Sequence, residues 1–164
     1  MQLSLLFIEV CVTVCLCDVS IQLCCSCFVL QVDYVHVVQL TGDNFCAIVG
    51  LPTIVSDFSQ LFRNGTATVY YDTTFSMGEF YVSSLLVFES KPVMPLLMLV
   101  HERRTTESHK LLFECFSKLT KVSSVVCVAN REQAITNAVF KTFPSSTTAY
   151  CWNHIIGDVW VCWD

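Results

Sequence analysis

Between Val122 and Val128 the chain is apolar but for two serines, and both flanks repeat with the period of a helix. Upstream, Leu111, Leu112, Cys115, Phe116 and Leu119 fall on one stripe; downstream, Ala134, Ile135, Ala138, Val139 and Phe143 do the same. A strand with no polar face belongs in a sheet covered on both sides. Helical segments before and after it supply that cover, so the pattern excludes an all-α or all-β fold and predicts α/β.

The preceding residues supply the rest of the sheet. Thr41-Gly42-Asp43-Asn44 is a turn between apolar runs. Phe45 to Leu51 reads as a strand ended by Pro52, and Ser56 as the cap of a short helix burying Phe58, Leu61 and Phe62. Thr68 to Phe75 alternates, with Tyr70, Asp72 and Thr74 on one face and Val69, Tyr71, Thr73 and Phe75 on the other. A turn at Ser76-Met77-Gly78-Glu79 returns the chain as Phe80 to Phe88, and Pro92 and Pro95 precede Leu96 to Glu102. Ser108 is the expected cap of the first long helix, and Asn130, with Gln133 three residues on, that of the second. With a last strand at Thr147 to Trp152, the order is βββ-α-β-α-β, a mixed sheet beginning with an antiparallel meander.

Residues 1–41 are a separate problem. Cys11, Cys15, Cys17, Cys24, Cys25 and Cys27 crowd this apolar segment, and the chain's 11 cysteines are an odd number at irregular spacing. That argues against a disulfide framework and against paired zinc hooks, leaving reduced thiols acting as small apolar groups. Val10 to Val32 is long enough to cross a bilayer. Asp18 near its middle would cost about 2.5–3.5 kcal/mol there, and no Lys or Arg precedes it. Alternation from Val10 to Cys17 favours a strand over a spanning helix, so membrane association is the lesser expectation. The division expected is residues 1–41 as an apolar, Cys-rich segment and residues 42–164 as the folded domain.

Three blocks in the second part carry a resemblance: Tyr70-Tyr71-Asp72-Thr73-Thr74-Phe75-Ser76-Met77-Gly78-Glu79-Phe80-Tyr81-Val82, Asn130-Arg131-Glu132-Gln133-Ala134-Ile135-Thr136-Asn137-Ala138 and Cys151-Trp152-Asn153-His154-Ile155. In order and spacing, from Phe45 to Asp158, the chain resembles the catalytic domain of Mutator-like (MULE) transposases, within the DDE transposase superfamily. The resemblance implies a ribonuclease-H-like core that cuts and joins DNA with Mg²⁺ or Mn²⁺ held by acidic residues. It also implies DNA as partner, a nuclear setting and possible homo-oligomers.

Hard cations take oxygen donors, and two of them clamp a reacting phosphate between converging carboxylates. Asp72 resembles the family's first catalytic carboxylate and would be the metal ligand. Asn130 stands where the second aspartate belongs, and a neutral amide cannot offset a cation's charge. Glu132 matches the family's acidic neighbour in that block, although a first-turn helix charge is the plainer account of it. Cys151 and His154 match a Cys-x-x-His signature that would support the site. His101-Glu102-Arg103-Arg104 resembles a family block after the third strand, whose Arg103 and Arg104 would touch phosphate. The family's third acidic residue lies on a helix well beyond His154; Asp158 and Asp164 are too close to it, so the domain is expected to be truncated at its C-terminus.

The expectation is therefore a partial transposase-like domain with a degenerate active site, inactive as it stands. The alternatives are a non-catalytic nucleic-acid-binding or scaffold remnant, which the net charge of −5 disfavours, and a membrane-associated protein anchored by its N-terminal segment.

Overall fold

The computed structural model describes residues 35–41, 44–60, 62, 65–87 and 94–152. These residues form a mixed seven-stranded sheet and three helices. In chain order they are β1 (Val35–Thr41), β2 (Asn44–Val49), α1 (Pro52–Ser59), β3 (Thr66–Met77), β4 (Phe80–Val87), β5 (Met94–His101), α2 (Thr106–Thr120), β6 (Ser124–Ala129), α3 (Gln133–Thr142) and β7 (Thr147–Tyr150). From β3 onward this is the βββ-α-β-α-β order expected, preceded by one further hairpin and a short helix.

The strands lie in the order β1-β2-β5-β4-β3-β6-β7. Neighbours from β1 to β3 are antiparallel, whereas β3–β6 and β6–β7 are parallel. Parallel neighbours need a crossover, and α2 and α3 provide it. The helices pack on one face, α2 against both α1 and α3. Between them and the sheet lies the main core, including Ile48, Val69, Tyr71, Leu85, Leu99, Leu112, Phe113, Phe116, Val125 and Ile135. Each such large side chain removed from water contributes about 1.5–3 kcal/mol.

Several local expectations are corrected. Val35–Thr41, assigned above to the N-terminal segment, pairs with β2, from Thr41↔Asn44 back to Val35↔Val49. The sheet therefore begins before the turn at residues 41–44. Residues 1–34, including the stretch weighed as a membrane span, lie outside the described residues; among those described, no helix is long and apolar enough to cross a membrane.

Helix α1 starts at Pro52, four residues before the expected cap at Ser56. Proline's fixed φ and missing N–H suit a first helical position. Pro95 lies inside β5 rather than before it, opposite Leu86 where the β4–β5 register slips. A bulge is one of the few places where a sheet tolerates proline. Thr105, not Ser108, caps α2, its Oγ1 accepting the Ser108 backbone N–H at 3.2 Å. The buried stripe of α2 consequently includes His109 and Phe113, while Leu119 is exposed. Strand β6 is fully buried on its helix-facing side (Val125, Cys127, Ala129) but only half-buried at Val126 and Val128.

Candidate functional site

Tyr71 on β3 pairs in parallel register with Ala129 on β6. Asp72 and Asn130 each follow one residue later, which brings the first and second sequence blocks together where β6 ends beside the middle of β3. Tyr71 is buried under the helices, so the alternation of a strand turns Asp72 to the opposite face. There Asp72 is half-buried, with Ser84 of β4 as its paired position. Strand β3 lies between β4 and β6, so solvation at a sheet edge does not account for this aspartate.

The loop beyond β6 arranges its acids differently from the expected cradle. Asn130 is not the N-cap of α3; Glu132 holds that position. Asn130 Oδ1 instead accepts the Glu132 backbone N–H at 3.0 Å, an Asx turn that leads into the helix. Its amide oxygen is thus engaged with its own loop. The Glu132 carboxylate turns to the helix side of the sheet, where it pairs with Arg104 and has Oε1 3.5 Å from His109 Nε2.

Glu132 closes a polar cluster set within the apolar core. The Tyr71 hydroxyl lies 2.6 Å from His109 Nδ1. Since a phenol donates readily and Nε2 faces a carboxylate, the tautomer that fits carries its proton on Nε2. Burial, reinforced by the neighbouring His101, holds the His109 imidazole down at about 4. At neutral pH the His109–Glu132 approach is therefore a long polar contact rather than an ion pair, and Nε2 has no partner at hydrogen-bonding distance.

His101, at the end of β5, stands beside His109 with ring centroids 5.2 Å apart. Its Nδ1 lies 2.8 Å from the Arg103 carbonyl, which can only accept, so Nδ1 carries the proton. Nε2 then accepts from the Ser83 hydroxyl at 3.0 Å, and Ser83 from Thr73 at 2.8 Å. Desolvation lowers the His101 pKa as well. Tyr71, Ser83, His101 and His109 are all almost completely buried. They form an internal brace, with no opening through which Ser83 could attack a substrate.

The remaining predicted residues fall around this brace. Arg104 is held between Glu132 and the face of Tyr81, 5.6 Å from the ring centroid. Arg103 is exposed in the loop after β5, and the adjacent Glu102 carboxylate accepts the Phe45 N–H at 2.8 Å, tying that loop to β2. The Cys151 N–H donates to the Ala129 carbonyl at 2.8 Å, so the Cys151 backbone abuts the Asn130 loop. His154 lies outside the described residues.

Sequence reasoning missed the His101–His109 pair as a unit. The signal was present in α2, because residues 109, 112, 113 and 116 form the buried helical face. For a two-metal cradle the fit is poor. Asp72 is the carboxylate on the outer face, Asn130 is neutral and turned to Glu132, and Glu132 faces the core. Among the described residues no group of three or more His, Cys, Asp and Glu side chains is arranged to hold a metal ion. The chain matches no known protein family, and no curated protein or solved structure is similar to it.

Proposed function

We propose that this chain carries a ribonuclease-H-like domain of Mutator-like transposase descent that has lost divalent-metal chemistry on DNA. The observation that supports this reading is the register of β3 against β6, which runs to Tyr71↔Ala129, one residue before Asp72 and Asn130. Two residues 58 positions apart in sequence thereby follow a paired position on neighbouring strands, as the resemblance requires of its pair of carboxylates. The arrangement β5-β4-β3-β6-β7, with two antiparallel pairings followed by two parallel ones, supports the same reading.

Loss of chemistry follows from charge. One carboxylate offsets a single positive charge, whereas a pair of divalent cations brings four. No catalytic step is assigned to the chain as it stands. A plasmid-nicking assay with Mn²⁺ or Mg²⁺ tests the proposal: the full chain should leave supercoiled DNA intact. Nicking that disappears in Asp72→Ala would overturn the inactivity, while leaving the proposed descent in place.

A further inference from the structure

Strand β7 lies at one end of the sheet, paired in parallel with β6. The Cys151 N–H donates to the Ala129 carbonyl, and that bond sets the phase of the ladder. Counting back by twos, Ala149 and Thr147 also turn their backbone groups toward β6. The backbone N–H and C=O of Thr148 and Tyr150 therefore face outward along the edge. Among the described residues no strand pairs with them.

This edge carries apolar rings and no guard. Side chains in parallel register share a face, so Tyr150 lies with the buried Ala129 on the helix side and Ala149 with the half-buried Val128 on the other. Tyr150 is 51% exposed and Phe140 of α3 44%. Lys141 reaches Glu107 of α2, so Phe140, one position back around the helix, lies on the flank away from α2. Edge strands are commonly protected by charged residues or proline. Ser145 to Trp152 contains neither.

Charge and phase then choose the occupant. An uncharged tract attracts neither an acidic nor a basic partner. Its outward-facing residues, Thr148 and Tyr150, sit symmetrically about Ala149. Set antiparallel against a second copy, with Ala149 on the two-fold axis, Thr148 of each copy stands opposite the partner's Tyr150. Each such pair exchanges both N–H···O bonds, and Ala149 takes the position between them, where the two backbones approach most closely and a small side chain fits. Pairing with β1 instead, at the far edge of the sheet, would leave a free edge at each end and grow into open chains.

We infer that the chain forms a two-fold symmetric dimer by antiparallel pairing of β7 with β7 of a second copy, joining the two sheets edge to edge. A four-residue strand is a short edge, so the association is weak and reversible. The dimer uses neither Asp72 nor Asn130 and does not depend on transposase descent. Sedimentation velocity of the full chain over a concentration series tests it. The chain should show a monomer–dimer equilibrium and nothing larger. Ala149→Glu and Ala149→Lys each oppose like charges across the axis from an exposed position, and each should weaken dimerisation by about tenfold or more. Mixed in equal amounts, the two variants should recover the dimer, because opposite charges then meet on the axis. Thr148→Pro removes an outward N–H and leaves the β6 ladder intact, so it should also give monomer and serves if a charge variant fails to fold. A wild-type chain monomeric at its highest soluble concentration, dimers that persist in the variants, a mixture that stays monomeric, or growth beyond dimers would overturn the inference.

Discussion

Tyr71 and His109 meet in the core with 2.6 Å between the phenolic oxygen and Nδ1, joining β3 to α2 by a polar contact that water does not reach. Removing one partner is worse than removing both. Tyr71→Phe should cost about 1–3 kcal/mol, because it leaves His109 Nδ1 buried and unpaired. His109→Leu should do comparable harm by orphaning the Tyr71 hydroxyl. The double variant should lose less than the sum of the two, and a urea-unfolding double-mutant cycle measures that coupling.

Acid should destabilise the fold through the same histidine. His109 has a pKa of about 4 when folded, against an ordinary value of 6.5, so the unfolded chain binds more protons between these pH values. Stability is therefore fully present above about 6.5, declines as pH falls toward 4 and levels off below. The full effect is about 3 kcal/mol. His101, lowered in the same direction, adds to it. Urea midpoints measured from pH 7.5 to 4 should follow this curve, and His109→Leu should flatten most of it.

Two glycines should respond differently to alanine. A Cβ on Gly50 would sit 2.6 Å from Leu97 Cδ2 and 2.7 Å from the Leu96 carbonyl oxygen, and a backbone atom cannot swing aside. Gly50→Ala should cost roughly 1–3 kcal/mol, as overpacked cores do. Gly78 occupies the β3–β4 turn at φ +63° with open space around it. Gly78→Ala should cost about 1–2 kcal/mol from backbone conformation alone. Thermal denaturation of the two variants separates crowding from conformation.

Asn130→Asp should supply the missing charge on the descent proposed here. An aspartate can still accept the Glu132 N–H, so thermal stability should change little. Beside Asp72, the new carboxylate should give measurable Mn²⁺ binding by electron paramagnetic resonance. Adding Asp72→Ala should abolish it. No manganese uptake by a folded Asn130→Asp variant would refute the pairing of these two positions.

Much of the fold could be read from side-chain spacing. The stripe Ile135, Ala138, Val139 and Phe143 is buried as its period predicts, and the alternation through Val69, Tyr70, Tyr71 and Asp72 assigns the two faces of β3. Boundaries were harder where two chemistries compete for one role. Thr105 and Ser108 are both good caps, and only their three-residue separation, which lets Thr105 accept from the Ser108 N–H, decides between them. Strand β1 was hidden because its valines continue an apolar run that started much earlier in the chain. The direction of Glu132 was not legible at all. A glutamate at a helix start ordinarily faces solvent, and the turn of Glu132 toward the core depends on Arg104 and His109, distant in sequence and brought close by the β5–α2 connection.

The turn at Asn130 has a bearing on how such a domain ages. Because asparagine serves the next helix as competently as aspartate, exchanging one for the other is invisible to any quality control that senses only misfolding. On the descent proposed here, a cell's proteases and chaperones would treat the two forms alike, so folding gives selection no hold on that position.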